Sequence, residues 1–242
     1  MKRFFLMLVL ALSLAAGVDA RTFVLITAVS NYDDEETNLG QTTKDARRFK
    51  EVIQNQTRDI TTLTSSNATR HNIAEKLTAI ANRAQSDDRI IFFYSGHGMP
   101  GAIYTYDGPV YYSEINDILD RSEAGQKIIY IDACHAGSAA SVVTDTQGGA
   151  PSAKPGTAYF VSSRPEETSK ELGVLGAGFF TQALIKGLRG TADRNHDRKV
   201  TVEELFTYMY RDIVQRSNES QHPQLIAPRE MFSTVLMDWN GQ

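Results

Sequence analysis

The chain lacks a second cysteine, a surplus of basic residues and internal repeats or low-complexity tracts. Its 242 residues contain one cysteine, so no internal disulfide can form. The formal net charge is -4 at pH 7 and the basic residues are scattered, which gives no electrostatic footprint for a nucleic-acid partner. With 41% hydrophobic and 22% charged residues, the sequence is typical of a globular chain with one core.

The longest hydrophobic run lies at the amino terminus. Lys2 and Arg3 precede thirteen apolar or small residues, "FFLMLVLALSLAA". This length is typical of a secretory signal peptide and falls short of the roughly 20 residues that a membrane span needs. Val18 and Ala20 fit a cleavage site. We therefore expect a signal peptide over 1–20 and one mature domain over 21–242, secreted or periplasmic; an uncut anchor is the alternative.

Export makes the single cysteine, Cys134, informative. Exported proteins usually pair their cysteines in disulfides, and Cys134 has no partner within the chain. An odd cysteine in such a protein indicates either intermolecular pairing or a reactive thiol.

Apolar runs of strand length alternate with helical periodicity along the rest of the chain. The strand-like runs cover 22–29, 59–63, 88–94, 126–133, 157–163 and 229–237. Helical spacing covers 42–56, 67–84, 112–122, 178–188 and 201–217. Runs that are apolar on every side suit strands covered on both faces. The alternation predicts an α/β fold with a mostly parallel central sheet and helices on both faces.

Two of the predicted strands end in polar turns that contain glycine, "SGHG" (95–98) and "CHAGS" (134–138). Chemistry in such sheets gathers beyond the carboxyl ends of the strands. If the two strands are neighbours, His97 and Cys134 meet at one edge, where an imidazole can activate the thiol. The main-chain N–H groups of Gly98 and Cys134 are then the expected oxyanion donors.

Less specific interpretations of these residues exist. A lone cysteine at a strand end is more often a small buried hydrophobic residue than a nucleophile. A lone histidine is usually a satisfied polar residue. His135 adjoins the cysteine but, as its immediate neighbour, is expected to point elsewhere.

The two turns together resemble those of the caspase-like cysteine peptidases, especially the metacaspase and bacterial caspase-homologue branch. "YSGHG" is followed, 37 residues after its histidine, by "DACHAG", and the similarity extends to "LITAVSNY", "TTKDARRF" and "GFFTQALIKGL". The resemblance implies a caspase-hemoglobinase fold and a protein or peptide substrate. It implies Cys134 as nucleophile and His97 as general acid/base, with no cofactor required for the chemistry. Asp132 and Ala133 stand where true caspases have a Gln-Ala pair.

That difference bears on specificity, because the metacaspase branch has acidic pocket residues and cuts after Arg or Lys. By matching residues, the resemblance implies Asp132, Ser95 and Asp45 as substrate-binding residues. A carboxylate at the base of a pocket pairs with a guanidinium or ammonium group and rejects a carboxylate. The alternatives are a buried structural acid at Asp132 and an ordinary acid in the first turn of a helix at Asp45.

The segment 193–204 has the spacing of a calcium-binding loop of the EF-hand type. The residues at positions 1, 3, 5, 7, 9 and 12 are Asp193, Asn195, Asp197, Lys199, Thr201 and Glu204. Position 6, normally glycine, is Arg198. The segment therefore predicts either a calcium site or a polar turn in which Thr201 and Glu204 form a capping box.

Self-cleavage activates many members of the resembled family. Between Lys127 and Lys170 the basic residues are Lys154 and Arg164, and proline follows each of them. Proline after a scissile bond obstructs cleavage because it lacks the N–H group and fixes its own backbone angle. We expect the segment after Cys134 to remain uncut by the enzyme itself.

The sequence therefore predicts a secreted cysteine endopeptidase that cleaves after Arg or Lys. Two alternatives stay open. One is caspase- or legumain-like cleavage after Asp or Asn, and the other is a calcium-regulated interaction module without catalysis.

Overall fold

A computed structural model of the chain describes residues 20–32, 38–133, 136–139, 154–164 and 178–240. The expected signal peptide over 1–20 lies outside this part of the chain, apart from Ala20, and stays a prediction. None of the helices in the described ranges is long and apolar enough to cross a membrane.

The described strands and helices follow the alternation expected from the sequence. The strands are β1 (Thr22–Ala28), β2 (Ile60–Thr64), β3 (Arg89–Ser95), β4 (Gly98–Met99), β5 (Ala102–Thr105), β6 (Gly108–Tyr111), β7 (Gln126–Asp132), β8 (Thr157–Val161), β9 (Lys199–Thr201), β10 (Gln224–Ile226) and β11 (Val235–Asp238). The α-helices are α1 (Thr42–Ile53), α2 (Arg70–Ala81), α3 (Tyr112–Asp120), α4 (Phe179–Lys186) and α5 (Val202–Arg216). A π-helical turn, Gly187–Thr191, extends α4.

Six of the described strands form the central sheet, in the order β10-β8-β7-β3-β1-β2. The neighbouring pairs from β8 to β2 are parallel, and β10 pairs antiparallel with β8 at one edge. The expectation of a mostly parallel α/β sheet is confirmed.

Helices cover both faces of this sheet, and each face has its own hydrophobic cluster. Because side chains alternate along a strand, Phe93 of β3 faces α1, α4 and α5, whereas Phe92 faces α2 and α3. Phe49 of α1 stacks on Phe93 with ring centroids 4.5 Å apart. Each buried aromatic ring contributes about 1.5–3 kcal/mol through removal of its apolar surface from water. The two-sided burial explains why these strands are apolar at nearly every position.

The expected strand over 229–237 is wrong in part. Arg229–Met231 forms a 3-10 turn, and β11 begins only at Val235. β11 pairs with β9 outside the central sheet. The sixth strand of the sheet is instead β10, whose three residues are too few to show a periodic pattern.

A three-stranded antiparallel sheet of β4, β5 and β6 was not expected from the sequence. Its strands are two to four residues long, shorter than a window in which alternation can be recognised. Gly101 and Gly108, at the two turns, have φ angles of 80° and 133°, which favour glycine. This small sheet begins directly after His97 and adds structure around the candidate site.

Candidate active site

The turns that follow β3 and β7 lie at the same edge of the central sheet. The two strands are adjacent and parallel, and Ser95 at the end of β3 is the register partner of Asp132 at the end of β7. The main-chain N–H of Gly96 donates to the carbonyl oxygen of Asp132 at 3.1 Å. The two strands are therefore neighbours, which is the condition under which the two turns meet.

His97 is held by its backbone and by the ring of Tyr32. The main-chain N–H of His97 donates to Tyr32 Oη at 2.7 Å, and the two rings lie 4.8 Å apart at their centroids. On the other side, Tyr94 Oη lies 2.7 Å from the carbonyl oxygens of both His97 and Tyr104. The N–H of Tyr104 also donates to the His97 carbonyl oxygen at 2.9 Å. These contacts fix the backbone from which the imidazole projects.

Glycine at position 96 is required by the closeness of these tyrosines. A Cβ atom built at Gly96 would lie 2.3 Å from Tyr94 Oη and 2.9 Å from Tyr32 Oη. Both oxygens bond the backbone of His97, so a side chain at Gly96 would displace the groups that hold His97.

Cys134 and His135 lie outside the described residues, but both flanks of this pair are anchored. Ser162 Oγ accepts from the N–H of Ala133 at 3.0 Å and lies 2.7 Å from the Ala133 carbonyl oxygen. On the far side, Ser138 Oγ accepts from the N–H of Gly101 at 2.9 Å. The nucleophile assignment for Cys134 stays a prediction.

Gly98, the other expected oxyanion donor, lies in β4 opposite Ile103 and is half-buried. It follows His97 directly, which is compatible with the expected role, and this assignment also stays a prediction.

Asp132 is half-buried at the end of β7, and α4 supplies its hydrogen-bond donors. Asp132 Oδ2 accepts from Thr181 Oγ1 at 2.6 Å and from the Thr181 N–H at 3.2 Å. Burial raises the pKa of Asp132 to about 6, although the two bonds from Thr181 act to lower it. Both bonds from Thr181 go to the same oxygen, Oδ2, and the pocket role of Asp132 stays a prediction.

Asp45 is 2% exposed in the first turn of α1. Burial, and next the charge of Asp132, raise the pKa of Asp45 to about 7, against the opposing charges of Arg48 and Lys44. Arg48 Nη1 lies 3.7 Å from Asp45 Oδ1. Asp45 thus lies in the first turn of a helix, as the alternative has it, but its carboxyl is buried and not solvated.

Ser95 completes the set of expected pocket residues and is 3% exposed. Since register partners of parallel strands project to the same face, Ser95 and Asp132 face the side of the sheet that α1 and α4 cover. Ser95, Asp132 and Asp45 are thus brought to one region by three separate elements.

Sequence reasoning missed Tyr32, Ser162 and Thr181. Thr181 has a weak signal, since it is a polar residue in the otherwise apolar "GFFTQALI" run of α4. Tyr32 and Ser162 have none, because their contacts depend on how β1 and β8 lie relative to the two turns.

The segment 193–204 lies away from this edge and leads into α5. Thr201 and Glu204 form the expected capping box at the start of α5. Arg198 has a φ of 64°, so the turn at position 6 forms without glycine. Asp193 Oδ2 accepts from the Arg198 N–H at 3.0 Å. In the described ranges, no three His, Cys, Asp or Glu side chains come together to hold a metal ion, and calcium binding by this segment stays a prediction.

Substitution of Gly96 by alanine tests the packing around His97. We expect Gly96→Ala to lower the free energy of unfolding by about 1–3 kcal/mol, because the added methyl group collides with two buried tyrosine hydroxyls. Gly40→Ala is the matched control, since no atom lies within 4 Å of a Cβ built there. Urea denaturation of both variants measures the difference. Equal stability of the two variants would contradict the described packing.

The fold is similar to that of two solved structures. Caspase-1 from Spodoptera frugiperda superposes with a TM-score of 0.66 at 16% sequence identity, over 92% of this chain and 92% of that chain. A structural-genomics protein from Geobacter sulfurreducens superposes with a TM-score of 0.65 at 14% identity, over 90% of this chain and 98% of that chain. At these identities the likeness shows the fold alone.

No curated protein matches the chain. The family model described as the caspase domain matches residues 21–232, which is most of the chain. The resemblance expected from the two turns is thereby confirmed. The chain belongs to the caspase-domain family of cysteine peptidases.

Proposed function

We propose that the mature chain is a cysteine endopeptidase that cleaves proteins or peptides after Arg or Lys. The observation that carries the proposal is that Asp45 and Asp132 both lie against the start of α4, at the sheet edge that also bears the His97 turn. Membership in a family of cysteine peptidases supports the class of reaction.

In the proposed reaction, the Cys134 thiolate attacks the carbonyl carbon of the scissile bond. His97, having taken the thiol proton, protonates the leaving amine, and an acyl-enzyme thioester remains. Water then attacks the thioester with His97 as base, which releases the acid product and restores the thiol. The N–H groups of Gly98 and Cys134 stabilise the oxyanion in both steps. The hydrogen bonds that the His97 backbone forms with Tyr32 and Tyr94 support this role because they fix that backbone.

Specificity follows from the sign of charge in the pocket. Asp132 and Asp45 offer carboxylate oxygens to a guanidinium or ammonium group, whereas an Asp side chain would meet two acids. Ser95, on the same face, offers a hydroxyl to the same substrate side chain. The pocket therefore favours Arg or Lys over the Asp or Asn preferred by the caspase- and legumain-like alternative.

Export completes the proposal. The mature chain starts at Arg21 after removal of 1–20 and acts outside the cytoplasm, as a secreted or periplasmic enzyme. No cofactor takes part in the chemistry. Calcium bound at segment 193–204 would regulate the enzyme without taking part in catalysis.

A panel of fluorogenic peptides that end in Arg, Lys, Asp or Asn tests both the reaction and its specificity. We expect turnover of the Arg and Lys peptides by wild type and none by Cys134→Ala. Asp132→Asn should lower kcat/KM for the Arg peptide about 100-fold, because it removes a charged partner from a half-buried site. Asp87→Asn, at an exposed acid, is the control.

The panel also separates the alternatives. Turnover of Asp or Asn peptides alone would favour the caspase- or legumain-like specificity. Heat of calcium binding in calorimetry without turnover of any peptide would favour the interaction module. Unchanged kcat/KM in Asp132→Asn would remove Asp132 from the pocket.

The segment after Cys134 gives a separate prediction about activation. Lys154 pairs with Asp120 of α3, and Thr157 nearby is the register partner of Lys127 at the start of β7. This is the edge opposite the His97 turn, and a seven-residue strand such as β7 spans about 20 Å. Lys154 is thus remote from its own chain's site, in addition to being followed by proline.

We expect purified active enzyme to remain a single chain across 140–164. Mass spectrometry of the wild type and of Cys134→Ala measures this directly. Two fragments produced by cleavage after Lys154 or Arg164, present in the wild type and absent from Cys134→Ala, would contradict the expectation.

A further inference from the structure

The two pocket acids differ in how their carboxyl groups are held. Asp132 Oδ2 receives two hydrogen bonds from Thr181, which is fully buried in the first turn of α4. The side chain of Asp45 is less exposed than that of Asp132, and Arg48 Nη1 lies 3.7 Å from Asp45 Oδ1. Hydrogen bonds to a carboxylate favour its charged form, whereas burial without them favours the protonated form.

The backbone of α4 brings both acids against one helix end. Gly178 caps α4 with a φ of 99°, and a Cβ built there would lie 3.9 Å from Asp45 Oδ2. Three residues later, Thr181 bonds Asp132. The start of α4 therefore contacts both acids but donates hydrogen bonds to one of them.

Other charges around the pair have defined positions. Lys44 and Arg48 of α1 act on Asp45 and lower its pKa. Arg216 of α5 approaches α4, but it bonds Gln182 and Asp212 instead. Among the described residues, Thr181 donates hydrogen bonds to Asp132, whereas the charges of Arg48 and Lys44 act on Asp45.

We propose that Thr181 is a positioning residue that makes Asp132 the first of the two pocket acids to ionise, while Asp45 carries a proton that it releases when a basic side chain binds. This inference rests on the proposed cleavage after Arg or Lys. Binding of one guanidinium or ammonium group transfers one proton from Asp45 to solvent, and no other bond is made or broken. The pKa values of about 7 for Asp45 and about 6 for Asp132 have the order that this division requires.

Calorimetry on Cys134→Ala tests the proton release without turnover. N-acetyl-arginine amide is titrated at pH 6 in two buffers of different ionisation enthalpy, with N-acetyl-norleucine amide as control. We expect release of about one proton per arginine bound, and a much smaller release when Asp45→Asn is added. Arginine binding without proton release would overturn the proposal.

Steady-state kinetics test Thr181. We expect Thr181→Val to raise KM for an Arg peptide about tenfold at pH 6.5, because a hydrogen bond to a charged group is lost, while kcat changes less. The rise of 1/KM with pH should move to higher pH, since Asp132 then ionises later. Thr181→Ser keeps the hydroxyl and should behave as wild type. A Thr181→Ser variant as impaired as Thr181→Val, or an unshifted pH profile in Thr181→Val, would overturn the positioning role.

Carbon NMR of the aspartate carboxyl groups in the free protein separates this inference from the proposed function. We expect Asp132 to titrate at lower pH than Asp45, and Thr181→Val to raise the Asp132 value. The reverse order would overturn the inference even in an active enzyme. The two acids could titrate in the expected order in a protein that neither binds nor cleaves Arg peptides. That result would overturn the proposed function and the proton release that rests on it. The effect of Thr181 on the pKa of Asp132 would still hold.

A different observation, at the opposite edge of the sheet, carries a second inference. Asp88 is 2% exposed and precedes β3. Asp88 Oδ1 accepts from the main-chain N–H of Arg21 at 2.8 Å, and Oδ2 accepts from the Gln85 N–H at 2.9 Å and the Arg21 guanidinium at 3.2 Å. Burial acts to raise the pKa of Asp88, but these hydrogen bonds outweigh it and hold the pKa below its usual value. A buried anion therefore contacts the backbone nitrogen that removal of 1–20 would turn into the chain's α-amino group.

We infer that Asp88 is the binding site for the α-ammonium group of the mature chain. Hydrolysis of the Ala20–Arg21 bond adds the elements of water, leaves a carboxylate on Ala20 and gives an amine on Arg21 that is protonated at neutral pH. The neutral N–H donor becomes a cation beside a buried carboxylate, and this ion pair, which adds to that of the Arg21 guanidinium, exists only after cleavage. An α-amino group stabilised in this way has a raised pKa, so its contribution to stability is present at neutral pH and lost as the pH rises through that value.

Two forms of the protein test this inference, one beginning at Arg21 and one beginning at Ala20. We expect the Arg21 form to melt about 2–4 °C higher at pH 7 and the difference to disappear at alkaline pH. Asp88→Asn should abolish the difference, with Asp87→Asn as the exposed control. Equal melting temperatures of the two forms would overturn the inference. If Asp88→Asn does not fold, the pKa of the α-amino group of the wild-type Arg21 form is measured instead. A value at or below the ordinary one of about 8 would also overturn the inference.

Discussion

The parallel pairing of β3 with β7 is the constraint on which the candidate site depends. Its register sets Ser95 beside Asp132 and bonds the N–H of Gly96 to the Asp132 carbonyl oxygen. A shift by one residue would turn Asp132 to the opposite face of the sheet, away from α1 and α4. The register is secured by two-sided burial, because Phe92 and Phe93 project into separate hydrophobic clusters. The same core that stabilises the fold thus aligns the two turns.

Electrostatics at this edge work against stability. Asp45 and Asp132 have raised pKa values, so their protonated forms are favoured by folding and their contribution to stability is lost as the pH rises through about 6 to 7. Two acids that oppose folding near neutral pH are typical of a functional site and untypical of a structural one. Thr181 offsets part of this effect at Asp132, whereas the charges of Arg48 and Lys44 offset part of it at Asp45. Under the proposed function, a basic substrate side chain would supply a positive charge to these two acids.

The sequence was sufficient for most elements of the fold. The strands β1, β3, β7 and β8 are apolar runs bounded by polar residues, the shorter and more polar β2 lies where a strand was expected, and the helices have the expected periodicity. Prediction failed where elements are short. β10 has three residues and β4 has two, and at such lengths neither alternation nor β propensity produces a signal. The terminal strand was placed too early because "REMFSTVLM" is apolar enough for a strand, although a 3-10 turn takes its first residues.

The residues of the candidate site likewise divide into those that the sequence indicates and those that only the structure brings to the site. His97 could be found from the sequence because it lies in a polar turn that directly follows an apolar strand, whereas Asp132 and Ser95 were named only by what the resemblance implies. Asp45 was named in the same way, but its local pattern is that of any acid in a first helical turn, and its burial became evident only from its packing against the sheet. Thr181 and Tyr32 contact the site from segments that are distant in sequence.

By itself, the sequence determined which residues are apolar, where turns interrupt them and that one thiol follows a strand, because these are properties of local composition. Only the tertiary structure decided that two acids from α1 and β7 share one environment and that a single threonine bonds one of them. Burial and the distance between charges set the ionisation of a carboxyl group, and both are fixed only when the helices pack on the sheet.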